Sequence, residues 1–541
     1  MNSEIYVEDE NLRRISMSVI RDIENIVDHY HENHSVLKKQ RNQALLDTLR
    51  VFEDACRLSS LSMAVVASDM MEGVHRAYMD ALNIAIQWIY SECPNNDDSV
   101  SMQLSSETYQ AVSDLLLNHA VPYSGICAGY IGYSRKQFSV EVQGNNVTFI
   151  SDKKQDELFC ANMAELYSKR KKTPYPSISI PSEIIEIITK AVHFKDGRIC
   201  YELTSEVLNA FKPFAEMQWE ATSTLPKEWE FDRFTLDDYK KVWIIIDTLC
   251  MIHFNACINS NVQGCAVEDN IIVINRNSLV NSLKTLSTVS EEVIDRILSF
   301  ITYNPNIKNT DIMYQPIVEL DKYRVVITPH LFMSSNPERN LMAIINKSKD
   351  RKHSIEVNQL ENLMLGRIKN QIPITENLIV CSHVDIGAEL PDIDFGLYDK
   401  TTNSAIICEL KWLIEADSPQ EVFAREDDIE RGCQQIRDIM SFAVCNREYF
   451  FRKLFNIDEE YTDLFYCVIA KNDIRSKSTD IPVISESAFI RLMNTLPVNS
   501  AFHKIRNKEF YEAIPCNLKM GHQSIDYAGY TFNIPAIVQN T

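Results

Sequence analysis

The stretch PDIDFGLYDKTTNSAIICELKW, residues 391–412, constrains this chain most, because it commits charged residues to two short apolar runs that read as adjacent strands. Asp392 to Tyr398 and Ala405 to Trp412 are short, mainly apolar and partly β-branched or aromatic, and the polar Asp399 to Ser404 between them reads as a turn. Residues two apart on a strand share a face, so Glu409 and Lys411 point one way, Leu410 points the other, and the paired strand can set Asp394 beside them. Carboxylates and an ammonium in apolar strands are costly to bury unless they meet each other, a metal or a solvated cleft. The oxygens of Asp394 and Glu409 with the Leu410 carbonyl are hard ligands suited to Mg2+ or Mn2+. In that setting Lys411 would orient a nucleophile or neutralise charge developing on a phosphate.

The flanking sequence has its own periodicity. Ser354 to Gln371 carries helical apolar spacing at Leu360, Leu363, Met364 and Ile368, and Asn377 to Ile386 is strand-like. After Trp412 an acidic loop is expected, then a helix over Asp427 to Phe442 with Ile429, Ile436, Ile439 and Met440 on one face. Leu464 to Ala470 and Ile481 to Ile484 read as strands, and Ser487 to Met493 as a helix.

This arrangement resembles the PD-(D/E)xK phosphodiesterase superfamily, with its restriction-endonuclease-like fold, over residues 350–500. The family pattern is an acid on one strand and (D/E)xK on the next. Asp394 matches the first acid and Glu409-Leu410-Lys411 the second element, while Pro391-Asp392 makes Asp392 a rival for the first acid. The resemblance implies a further acid on the preceding helix, for which Glu361 is the candidate and Glu356 the alternative. It also implies an active-site glutamine on the later helix, for which Gln435 is chosen over Gln434. The implied fold is an α/β domain of αβββαβ order, a mixed sheet flanked by helices. The implied activity is Mg2+- or Mn2+-dependent hydrolysis of phosphodiester bonds by an endonuclease, DNA favoured over RNA, in nucleic-acid defence or processing. The alternative is a catalytically silent scaffold that binds nucleic acid or protein through the same fold.

At 541 residues and 45% hydrophobic content the chain can bury a large core and is expected to form more than one domain. A net charge of −21 argues against nonspecific coating of nucleic acid, since phosphate affinity rests on many Lys and Arg contacts. Any nucleic acid must then meet a local basic run, and Lys169 to Lys172, Lys347 to Lys352 and Lys504 to Lys508 are the candidates. The 14 cysteines contain no CxxC pair and follow no secretory segment, so a cytoplasmic protein with reduced thiols is expected. No membrane role is expected, the most apolar stretches being short or interrupted by charge.

Residues 1–120 read as a helical region and 121–345 as a mixed α+β sensor or targeting region, joined to the nuclease-like part, 350–541, through polar Asn346 to Asn358. The N-terminal part is expected to bind a partner protein, a second copy of the chain or a nucleic-acid feature. Phe138 to Val142 and Val147 to Ile150 flank Gly144-Asn145-Asn146 as a hairpin; Leu236 to Cys257 reads as a long apolar helix and Glu291 to Ile301 as another. His29, His31 and His34 on a helix would be mainly solvated surface, with only the last two sharing a face. Gly125-Ile-Cys127-Ala-Gly129 has the outline of a nucleophile elbow but lacks its strand–helix setting, and no phosphate-binding loop appears.

Overall fold

A computed structural model describes residues 18–63, 68–95, 100–151, 180–195, 198–231, 233–259, 267–308, 310–348, 351–387, 390–414, 416, 419–458, 463–474, 476–510 and 518–539. The protein is mixed α/β, with much helix and several small sheets. Long helices α1 (Arg41–Met63) and α2 (Ser68–Glu92) share one core with the segment around Leu115 and Leu116. Helix α3 (Val121–Ser134) follows, then the antiparallel hairpin β1 (Phe138–Gln143) and β2 (Asn146–Ser151), which turns at Gly144 with φ +61°. Only glycine takes that backbone without strain. Cys127 therefore lies inside a helix, with no strand–turn–helix elbow around it.

Helix α4 (Leu236–Asn259) is long and apolar enough, by length and composition, to cross a membrane, which corrects the expectation that no stretch qualified. In the structure it is a core helix: Tyr239, Val242, Trp243 and Ile246 are buried against Phe211, Trp219 and Phe332. Strand β3 (Ile272–Asn275), helix α5 (Glu291–Ile301), and strands β4 (Ile317–Glu319) and β5 (Arg324–Ile327) complete this region, with a three-stranded sheet ordered β3-β5-β4. The polar boundary expected at 346–358 is mostly helical, because α6 (Pro337–Ser348) and α7 (Arg351–Gln371) cover it. Asn336 accepts the Arg339 N–H at 3.1 Å and so starts α6, with Pro337 in its first turn.

The C-terminal part is built on β6 (Leu378–Val384), β7 (Ile393–Asp399), β8 (Ser404–Lys411), β9 (Asp463–Ala470) and β10 (Val483–Ser485), which lie side by side in that order. β7 runs antiparallel to both β6 and β8, and β9 and β10 continue from β8 in parallel. Alternation along the strands separates two cores. Phe395, Leu397, Ile406, Cys408 and Leu410 face α7, α10 (Glu486–Thr495) and α11 (Val498–Arg506). Ala405, Ile407, Val468 and Ala470 face α8 (Pro419–Cys445) and α9 (Arg447–Phe455). Helix α8 presents Ile429, Cys433, Ile436, Ile439 and Ala443 to that second core, a 3–4 residue spacing that gives one apolar stripe. It begins at Pro419, so the acidic loop expected up to Asp427 is mostly its first two turns.

The last hairpin, β11 (Leu518–Tyr527) and β12 (Tyr530–Gln539), falls within the 350–541 unit drawn from sequence, yet its strands extend the β1–β2 sheet: β12 pairs in parallel with β2 through Thr531↔Asn146 to Asn533↔Thr148. Of the basic runs, Lys169 to Lys172 lies outside the described residues, as do the side-chain surroundings of Lys347 to Lys352. In the third run, Lys508 donates to the Ser478 carbonyl at 2.8 Å.

Candidate metal centre

The hairpin that carries the charges is fixed from its turn. Asp399 accepts the Thr401 N–H at 3.0 Å and the Thr401 and Thr402 hydroxyls at 2.6 and 2.7 Å, and Asn403 takes φ +47°. That sets the register Asp399↔Ser404, and pairing runs to Phe395↔Cys408 and stops. Continued one step, the register places Asp394 across from Glu409, where the strands have separated.

Strand β8 meanwhile stays paired with β9 to its end, where the Lys471 N–H donates to the Lys411 carbonyl at 3.0 Å. Peptide groups alternate sides along a strand, so those of Leu410 face the gap left by β7. Asp394 fills it: its Oδ2 accepts the Leu410 N–H at 2.8 Å. Glu361, reaching in from α7, accepts the next amide on that side, Trp412 N–H. On the α8 side, Lys411 Nζ donates to Glu409 Oε1 at 2.7 Å, with Glu409 almost fully buried and Lys411 partly so.

The electrostatics follow from that crowding. Burial, then the charges of Asp394 and Glu361, hold the Glu409 carboxyl well above its ordinary range, while Lys411 opposes them. Burial raises Asp394, against the Leu410 N–H and the Lys411 charge. Glu361 is raised by burial and by Asp394, against Lys411 and the Trp412 N–H. Three largely buried carboxyl groups thus act on a single lysine, although their oxygens do not all gather within 4.8 Å of one another. Proton uptake or a cation relieves such a like-charge cluster, and the donor set, all carboxylate oxygen with the Leu410 peptide at the strand gap, fits Mg2+ or Mn2+.

Asp394, Glu409, Lys411 and Glu361 therefore lie near one another at this end of the sheet. Asp392 stands exposed ahead of the strand, and Glu356 shares the helix of Glu361 in a stretch whose side chains lie outside the description. Gln435 is half-buried on α8, one turn from Gly432, and no hydrogen bond joins it to the cluster. The residue of α8 that meets the lysine is Gly432 itself: a Cβ there would lie 3.1 Å from Lys411 Cε.

One further residue was not foreseen. Between the pairs Ser382↔Phe395 and Val384↔Ile393, His383 stands across from Asp394 unpaired, at φ +50°. It stands near enough to both Asp394 and Glu361 to interact with them electrostatically. A lone histidine in an apolar strand was the signal available, and it does not reveal the left-handed backbone at that position. An open cleft of about 310 Å3 lies elsewhere, along the start of α8, and its charges are paired: Arg437 with Asp480 and Glu430 at 2.9 Å each, and Lys477 with Glu426 at 3.6 Å. It is a surface ion-pair network rather than a second acid centre. Comparison with protein-family models, with curated proteins and with solved structures gives no match to this chain.

Proposed function

We propose that the protein is a divalent-metal-dependent nuclease of PD-(D/E)xK type that hydrolyses phosphodiester bonds, with DNA favoured over RNA. The observation that carries this reading is the convergence of Glu361, Asp394 and Glu409 on Lys411 at the separated end of β7 and β8. The run of elements α7-β6-β7-β8-α8-α9-β9 accords with an αβββαβ core.

In this reading Asp394, Glu409 and the Leu410 carbonyl hold Mg2+ or Mn2+. The bound ion would supply Lewis-acid polarisation of the phosphoryl group and a more acidic water. Lys411 Nζ lies 2.7 Å from Glu409 Oε1, close enough to exchange partners when the carboxylate is drawn away, and would then be placed to orient the nucleophile or offset phosphate charge. Gly432 lets α8 approach that side chain without displacing it. Glu361 holds the Trp412 amide and adds negative charge on the far side. Gln435, half-buried on α8 and without a hydrogen bond to the cluster, supplies no observation for the active-site role that the resemblance implies for it.

Residues 1–345 would direct or restrain this centre, because they grip the first turns of α8: Tyr314 and Arg339 both reach Glu421, Gln137 reaches Glu426 at 3.4 Å and Arg135 reaches Asp427 at 3.0 Å. A partner protein, a second copy or a nucleic-acid feature bound there would act through that helix. A cytoplasmic setting in nucleic-acid defence or processing fits this layout.

The silent-scaffold reading has its own observation: every acid in the cluster has a protein partner, Asp394 and Glu361 as caps of strand amides and Glu409 in an ion pair. The test uses the full chain on single- and double-stranded DNA and RNA, with Mg2+, Mn2+ or chelator. Metal-dependent cleavage that disappears in Glu409→Ala supports the nuclease; binding of nucleic acid without cleavage under any metal supports the scaffold.

A further inference from the structure

Far from that centre, His34, Asp114 and His119 bring three ligand atoms within 4.8 Å of one another. The backbone between the last two explains how. Asp114 ends the helix Ser106–Asp114, and His119 lies in the following segment Leu115–Ala120, which is wound as a π turn. In an α-helix five steps of about 100° would leave these residues on different faces. The i→i+5 winding of a π turn stacks them instead, and such turns are frequent at functional sites. His119 Nε2 then stands 3.8 Å from Asp114 Oδ2.

The carboxylate is oriented as well. Asn118 donates to its Oδ1 at 2.7 Å, which leaves Oδ2 for the histidines. His34 comes from the junction of two 3-10 turns, Tyr30–Asn33 and Ser35–Lys38, and its Nε2 lies 3.2 Å from the same Oδ2. The HYHENH segment is thus not a regular helix: His31 is buried and stacked on Trp88, and His34 points to a different part of the chain. The His119 ring is held between Tyr30, stacked at 5.4 Å, and Tyr527 of the last hairpin, edge-on at 6.1 Å. Both imidazoles are largely enclosed, at 7% and 17% exposure, and Asp114 at 49% opens the cluster to solvent.

We propose that His34, Asp114 and His119 form a binding site for a zinc-class divalent cation, with two imidazole nitrogens, one carboxylate oxygen and a fourth position open to solvent or ligand. Nitrogen-rich ligation sets this site apart from the all-oxygen centre on β7 and β8. Without an ion the same atoms can close a hydrogen-bonded chain, His34 Nδ1 accepting from the Val36 N–H at 3.3 Å and Nε2–H donating to Asp114. Metal at Nε2 requires the other tautomer, with its proton on Nδ1, and displaces that long Val36 contact. The bound ion would cross-link the N-terminal turns, the π turn and, through the caged His119 ring, the last hairpin.

The experiment titrates metal-stripped full chain with Zn2+, and separately with Co2+, whose visible spectrum reports coordination. The expected result is about one equivalent bound in the micromolar range or tighter, a rise in the thermal midpoint, and a Co2+ spectrum of low coordination number. Asp114→Asn and His119→Gln should lose all three, His119→Cys should retain zinc, and Asp394→Ala should leave this site unaffected. If the folded Asp114→Asn and His119→Gln chains bind Zn2+ as the parent does, or the parent binds none, the cluster is a hydrogen-bonded network without an ion and the proposal fails.

Discussion

Two of the carboxylate clusters that the protein encloses are built differently. In the N-terminal core, Glu53 accepts the His330 N–H with both oxygens, at 3.0 and 3.1 Å. Next to it Asp54 accepts from Arg57 at 2.7 Å, Asn270 at 3.1 Å and Tyr109 at 3.0 Å. Donors there come from four elements and converge on the acids, so the network ties those elements together. At the end of β7 and β8 the acids converge on each other, with one lysine among three of them. Burying like charges together serves stability poorly and cation binding well.

That contrast breaks if both clusters respond alike to loss of their cation. Arg57→Met leaves Asp54 buried beside Glu53 without its ion-pair partner, and it should cost about 3–5 kcal/mol in denaturant unfolding. Lys411→Met should cost clearly less than that, because the carboxyls beside Lys411 are already raised and can take up protons. Equal losses would mean that the second cluster is structural too.

The next largest effect belongs to turnover. Lys411→Ala should slow single-turnover cleavage by roughly 10²–10³-fold at saturating Mg2+ while leaving metal affinity largely intact. Arg at this position should rescue poorly, since a planar fork does not reproduce a compact ammonium. Glu409→Ala should lose metal binding and cleavage together. A Lys411→Ala chain with parental rate would remove the lysine from the chemistry.

How much of this was legible in sequence follows from what local pattern can carry. The ExK spacing on an apolar strand and the polar Asp399–Ser404 turn fix face and register, so Asp394, Glu409 and Lys411 could be placed relative to one another. Periodicity gave α7, and the family resemblance pointed to Glu361 on it, with Glu356 as the alternative. What periodicity could not give was pairing between distant segments. The β12–β2 contact joins residues almost 400 positions apart in the chain and leaves no local trace. Nor could it give the π turn at Leu115–Ala120 or the left-handed backbone at His383, both set by tertiary packing over ordinary residues. The start of α8 at Pro419 was missed because its first turns are acidic and carry few apolar residues, yet Glu421 there is held by Tyr314 and Arg339.

A smaller effect separates the clusters by pH. Burial and Asp394 push the Glu409 carboxyl up to about 8, above its unfolded value of about 4.3. A raised carboxyl contributes stability that is present below the unfolded pKa and lost as pH rises through the folded one. In chelator, then, stability should fall between about pH 4.5 and 8, by at least about 1 kcal/mol. Glu409→Gln should flatten that fall, and so should Mg2+, which takes the place of the proton. Metal affinity in the parent should rise over the same window. A pH profile unchanged by Glu409→Gln would assign the slope to other groups.

The smallest effect is also the most discriminating, because its two readouts have opposite signs. Gly432 lies inside α8, where alanine is favoured over glycine by about 0.5–1 kcal/mol in helix propensity and backbone entropy. Its new Cβ would lie 3.1 Å from Lys411 Cε and 3.4 Å from Lys411 Cγ, and the nearest atom of β9, Val468 Cγ1, is 3.5 Å away. The flexible lysine is the neighbour that yields, by a few tenths of an ångström. Gly432→Ala should therefore unfold slightly later than the parent yet cleave more slowly, by about 10-fold, since displacing a positioned group by an ångström can cost about 10². If the glycine is only a packing accommodation, stability rises and the rate holds. If stability falls instead, the helix rather than the lysine has moved, and Gly432 marks a contact that fixes α8 against the sheet.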